Sequence, residues 1–196
     1  MKKLFLPVFA LLFATLIIAA MPTEAEAAIY SDTVRLHILA ASDSDTDQRL
    51  KLEIRDELLK KYGSELKCAE STDEARIKIS ALLPEIEAYV EEEIRKRGFD
   101  YSATVTLTEE WYDTREYESF TLPSGNYTSL RIIIDEGRGK NWWCVMFPPL
   151  CLDIATENAP KDDGIIDYTK EEINLISGEK YNVKFKILEV LSSAFK

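Results

Sequence analysis

Histidine occurs once in the 196 residues, as His37, and cysteine three times. A single imidazole excludes a histidine-rich metal site, and a Cys–His nucleophilic pair would have to join His37 to Cys144 or Cys151 from far along the chain. Neither a G-x-S-x-G elbow nor a D-T-G triplet occurs. Basic side chains are in deficit as well: 24 Lys and Arg against 35 Asp and Glu give a net charge of −11. Phosphate backbones are bound by clusters of lysine and arginine, so this balance argues against a nucleic-acid partner. It also opposes attraction to anionic lipid headgroups. Carboxylates are so numerous that no pair of them is singled out for acid and base work.

Two other motifs fail on inspection. Asp43-x-Asp45-x-Asp47 has calcium-loop spacing, but Gln48 stands where the loop needs glycine and Ile54 where it needs glutamate. Helix capping by Ser42 or Ser44, with the aspartates at the helix's positive end, accounts for the cluster. Gly139-Lys140 lacks the earlier glycine and the following Ser or Thr of a phosphate loop. No nucleotide, metal or other small-molecule cofactor is expected.

What is present begins with an address. Lys2 and Lys3, an apolar run from Leu4 to Ala20, and Ala25-Glu26-Ala27 have the order of a secretory signal and its cleavage site. Residues 1–27 are therefore expected to be a signal peptide and residues 28–196 one exported α+β domain; an uncleaved anchor is the alternative, since the run approaches bilayer length. Three cysteines allow one intramolecular disulfide. Cys144 and Cys151, around Pro148-Pro149, are the natural pair; two reduced, packed thiols are the alternative. Cys68 falls in a connection and is read as incidental. The sequon Asn126-x-Thr128 matters only in a glycosylating pathway.

Hydrophobic periodicity sets out the domain. Thr33 to Ala40 alternates as a strand. A helix follows with Leu50, Ile54 and Leu58 on one stripe and Gly63 as its stop, then a second opened by the capping box Ser71-x-x-Glu74 and kinked or broken at Pro84. From Tyr101 the period is two, with Thr104, Thr106 and Thr108 opposite Ala103, Val105 and Leu107. Arg115 to Leu122 is expected as another strand. Leu130 to Ile134 and Trp142 to Phe147, joined by Asp135 to Asn141, read as a central antiparallel hairpin. Asp153 to Asp167 reads as a loop, and Tyr181 to Phe195 as a terminal helix that presents Phe185, Leu188, Leu191 and Phe195 on one face. The sum is a single α+β domain: a mainly antiparallel sheet of about five strands, two or three helices packed on it, and a C-terminal helix.

The most distinctive wording is Gly137-Arg138-Gly139-Lys140-Asn141-Trp142-Trp143-Cys144-Val145-Met146-Phe147-Pro148-Pro149-Leu150-Cys151, preceded by Pro123-Ser124-Gly125-Asn126-Tyr127-Thr128-Ser129-Leu130-Arg131. A second block reads Arg35-Leu36-His37-Ile38-Leu39-Ala40, then Ser42-Asp43-Ser44. Together, over roughly Val34 to Cys151, these resemble the stage II sporulation protein R family. The resemblance implies a protein ligand and not an enzyme. It would be made in the forespore and exported between the two sporulation membranes, where it triggers a membrane-embedded protease of the mother cell that processes a sigma-factor precursor. The competing class is a secreted hydrolase acting on the cell wall, which would draw on His37 or Cys144. Because Trp142 and Trp143 alternate across a strand, one is expected in the core and the other, with Arg138 and Lys140, on the surface that meets the protease.

Overall fold

The computed structural model describes residues 7–10, 13–14, 24–67, 69–117 and 120–148. A short helix α1 (Glu24–Ser31) leads into β1 (Val34–Leu39), two long helices α2 (Asp45–Lys67) and α3 (Thr72–Lys96), and then strands only. These are β2 (Ala103–Tyr112), β3 (Arg115–Glu116), β4 (Thr121–Leu122), β5 (Gly125–Ile134) and β6 (Asn141–Phe147). The expected loop from Asp153 and terminal helix to Phe195, together with Cys68 and Cys151, lie outside the described residues. Among the described residues no helix is long and apolar enough to cross a membrane.

The fold is α+β, with a four-stranded mixed sheet in the order β2-β5-β1-β6 and a separate β3–β4 ribbon. Two of the three neighbouring pairs are antiparallel; β1 and β5 run parallel. Here the expected hairpin needs correction, because β5 and β6 are not neighbours and β1 lies between them. Strand burial explains the insertion. Val34, Arg35, Leu36, His37 and Ile38 are all buried, so β1 hides both faces and takes an interior position. The chain from Asp135 to Lys140 has neither the length nor the residues of a two-residue hairpin turn, and it arches over the end of β1. The expected strand from Arg115 to Leu122 is instead the ribbon, two short strands paired Arg115 to Leu122 and Glu116 to Thr121.

Leu36, Ile38, Leu130, Ile132 and Ile134 point from the sheet into one core with Leu50, Ile54 and Leu58 of α2 and Ile79, Ile86, Val90 and Ile94 of α3. Ser44 caps α2, its hydroxyl accepting from the Asp47 N–H at 3.1 Å, and Ser71 caps α3 by accepting from Glu74 N–H at 3.2 Å. Gly63 does not end α2, which runs on to Lys67. Nor does Pro84 break α3. Pro84 and Ser80 are both exposed, so water can satisfy the carbonyl that a proline four residues on leaves without a donor. α1 was not foreseen. Its Ile29 is fully buried, and its Tyr30 hydroxyl donates to the Ser124 carbonyl at 2.9 Å, so the helix belongs to the core although Ala25 to Ala27 lies within it.

Candidate functional site

The two motif blocks close on each other. Gly139 N–H donates to the Ala40 carbonyl at 2.9 Å and Arg138 N–H to that of Ala41 at 3.2 Å, so the loop that opens β6 is laid on the segment leaving β1. A Cβ on Gly139 would sit 2.2 Å from the Ser42 carbonyl oxygen, an approach only glycine permits. Asp43 accepts from Lys140 N–H at 2.7 Å, and Lys51 of α2 donates its ammonium to the Lys140 carbonyl at 2.8 Å and to Gln48 at 2.7 Å. Burial depresses the Lys51 pKa, the neighbouring Arg55 and Lys140 charges add to that, and Asp43 opposes it. The acid cluster thus has structural uses: Asp47 accepts from the Ser42 and Tyr101 hydroxyls.

On the sheet face turned away from α2 and α3, β1 presents Arg35 and His37, β5 Tyr127, Ser129 and Arg131, β2 Glu110 and Tyr112, and β6 Asn141 and Trp143. Register alone gathers these side chains, since every one lies at an alternate position. His37 Nδ1 meets the Glu110 carboxylate at 3.0 Å and Nε2 meets Asn141 Oδ1 at 3.0 Å. Its ring lies 5.5 Å from that of Trp143 in a stacked arrangement. Arg131 Nε approaches Glu110 to 3.3 Å without hydrogen-bond geometry, an ion pair only. Beside this network the fully buried Arg35 guanidinium lies 4.0 Å from the centre of the Tyr112 ring and 5.0 Å from that of Tyr127, and donates to the Tyr117 hydroxyl at 2.7 Å. Tyr117 follows β3, so Arg35 fastens the ribbon to the sheet, and Arg115 of the ribbon stacks over Trp143 at 3.9 Å.

Burial raises the Glu110 pKa, but hydrogen bonds from His37 and Ser129 and the charges of His37 and Arg131 outweigh it and hold the carboxyl below its usual range. A depressed folded pKa contributes stability that is present above the unfolded value, about 4.3, and lost as pH falls through the folded one. Thermal melts of wild type and Glu110→Gln should accordingly differ most at neutral pH and converge below about pH 4.

The tryptophans alternate as expected, though both are half-buried. Trp142 faces α2, where Arg55 lies 5.0 Å from its ring centre, and Trp143 lies on the opposite face. Arg138 is exposed and paired with Glu136 at 2.7 Å, and the Lys140 side chain is exposed. Cys144 is buried and disulfide-bonded. It pairs with Leu36 on the helix-facing side of β1, whereas His37 points to the other side. The sheet therefore separates the sulfur and imidazole that a Cys–His hydrolase would need together, and the disulfide removes the thiol. Arg35, Lys51, Glu110 and Asn141 escaped the sequence reading. Arg35 and His37 carried one signal, as polar residues alternating in a strand with an otherwise apolar partner face; Lys51 carried none, being one lysine among several on an amphipathic helix.

The domain thus has one sheet face, turned away from α2 and α3, that is locked by charge and aromatic stacking, and two sequence blocks fused at one end. The chain belongs to the stage II sporulation protein R family, whose family model matches residues 30–157. It is 38% identical over 155 residues to stage II sporulation protein R of Bacillus subtilis (strain 168), a match covering 78% of this chain and 69% of the relative. No solved structure matches it.

Proposed function

We propose that the chain is an exported signal of endospore formation, cleaved after Ala27, that acts between the forespore and mother-cell membranes. It activates a membrane-embedded protease there, which then processes a sigma-factor precursor. Membership of the sporulation protein R family carries this reading. The disposition of His37 and Cys144 on opposite sides of the sheet favours a ligand over the alternative cell-wall hydrolase. Co-expression of the exported domain with the protease and its precursor tests the reading: precursor cleavage that depends on the domain is expected, and its absence would refute it.

The loop from Arg138 to Trp143 is the proposed contact surface. Charge reversal at Arg138 and Lys140 should leave the melting temperature within about 2 °C, since exposed pairs contribute little to stability, while precursor cleavage falls. Trp142→Ala and Trp143→Ala should each cost stability, because both rings are stacked against arginine. Normal cleavage by both reversal variants would place the contact elsewhere. Within the same reading Cys151 is the partner of Cys144. Alkylation before reduction, followed by peptide mass mapping, should leave both unlabelled and should label Cys68.

A further inference from the structure

β2 is one of the two outer strands of the sheet. It pairs with β5 over ten residues, Ala103 to Tyr112, in continuous register. Its outward rungs can be identified from one bond: Val105 N–H donates to the Glu87 carboxylate of α3 at 2.9 Å, so it points away from β5. In an antiparallel ladder the residues whose backbone groups point outward alternate, hence Leu107, Glu109 and Trp111 also direct N–H and C=O away from the sheet. α3 covers the first rung through Glu87. Among the described residues nothing pairs with the next three.

Outer strands of soluble proteins are commonly blunted by proline, lysine or a bulge, since an open edge is a template for another strand. The sequence Ala-Thr-Val-Thr-Leu-Thr-Glu-Glu-Trp-Tyr has neither residue, and its pairing has no register shift. Its next-to-last residue is Trp111, 62% exposed and among the most exposed large apolar side chains of the described residues. Tryptophan is a residue type over-represented among interface anchors. The exposed ionisable side chains of this end of the strand are acidic, Glu109 and then Asp113, in a chain of net charge −11.

We infer that the edge of β2 from Leu107 to Trp111, open among the described residues, binds an extended, cation-bearing segment of the partner protein by strand addition, with Trp111 covering the added strand. Main-chain hydrogen bonds at three rungs supply the affinity in such a mode, and side-chain contacts at alternate positions supply the selectivity. This deepens the proposed function and rests on it, because the occupant is a segment of the protease that the domain activates. The surface is remote from the Arg138 to Trp143 loop, which lies toward the opposite outer strand, β6.

The test uses the exported domain with the protease and precursor. Glu109→Pro removes an outward N–H and no ladder bond, a position where an edge strand tolerates proline. Trp111→Ser and Glu109→Lys leave the backbone intact and alter the anchor and the charge. All three are expected to melt within a few degrees of wild type, while precursor cleavage falls about tenfold or more, corresponding to roughly 1.4 kcal/mol of lost interaction. Thr108→Pro removes an inward N–H and should unfold the protein, which verifies the rung assignment. Wild-type cleavage rates in folded Trp111→Ser and Glu109→Lys would overturn the inference while leaving the proposed function standing, and they decide the matter if Glu109→Pro does not fold. Failure of the wild-type domain to promote cleavage would overturn the proposed function and this inference with it.

Discussion

Gly139→Val should unhinge the junction between the two motif blocks and be among the most damaging single substitutions on the surface of this domain. The Cβ would lie 2.2 Å from the Ser42 carbonyl oxygen, 2.6 Å from its carbon and 3.0 Å from the Ala40 Cβ, and two of these three are backbone atoms that cannot swing aside. The loop must lift instead. Lifting breaks the bonds from Gly139 to Ala40 and from Arg138 to Ala41, and with them the Lys140 N–H contact to Asp43. Lys51, buried under the Lys140 carbonyl, then loses an acceptor while remaining a cation in a poorly solvated place. Overpacking alone costs about 1–3 kcal/mol, and a buried ammonium left with Gln48 as its remaining acceptor adds up to about 1–3 kcal/mol. A fall in melting temperature of well over 5 °C is expected, from roughly 2–4 °C per kcal/mol in a domain of this size. Lys51→Met in the Gly139→Val background should recover part of it, because it removes a buried charge that has lost one of its two acceptors. A melt of Gly139→Val indistinguishable from wild type would mean that the loop is not seated on the β1 exit.

How much of this was legible in the sequence depends on the range of the interaction. Each strand's own burial could be read: the alternation of Ala103 and Val105 against Thr104 and Thr106 places the former in the core and the latter in solvent. The tryptophans likewise fall on opposite faces. Pairing was less accessible, because an alternating pattern says which face is buried and nothing about which neighbour lies alongside. Sequence proximity favours β5 with β6, but β1, about a hundred residues before β6, takes the place between them. The clue was present in β1 itself, where Arg35 and His37 occupy a face that water does not reach. That face could not be recognised as buried because its cover comes from the aromatic side chains of β2, β5 and β6, from the ribbon and from Tyr30 of α1, and all but the last are distant in sequence. The helix ends were misjudged for a different reason. Gly63 and Pro84 are breakers by local propensity, and the buried stripes Leu50, Ile54 and Leu58 and Ile79, Ile86 and Val90 outweigh them.

Arg35 should show the second large effect, with opposite outcomes for two substitutions of similar chemistry. Its guanidinium is fully buried, and among the described residues its Nε and Nη1 have no hydrogen-bond partner, so the ring faces of Tyr112 and Tyr127 and the Tyr117 hydroxyl are its main sources of stabilisation there. Arg35→Ala removes the long side chain and leaves a void between three aromatic rings, a class of change that costs about 3–5 kcal/mol. Tyr117 loses its donor at the same time, so the ribbon detaches and Arg115 leaves the Trp143 ring. Arg35→Met fills most of the same volume with an unbranched chain that suits aromatic surroundings. It forfeits cation–π contacts of about 2 kcal/mol, but it also relieves a buried charge that has no carboxylate partner among the described residues, and replacing such charges by well-packed apolar groups is often neutral or better. The expected order is therefore Arg35→Met within about 1 kcal/mol of wild type and Arg35→Ala far below both. Tryptophan fluorescence should follow the same order, since release of the ribbon exposes Trp143 to water. Because Arg35 reaches no surface, Arg35→Met should retain precursor cleavage and Arg35→Ala should lose it through the ribbon. If Arg35→Met is as unstable as Arg35→Ala, the charge itself is needed, and its attraction to the Tyr112 and Tyr127 rings outweighs the cost of burying it.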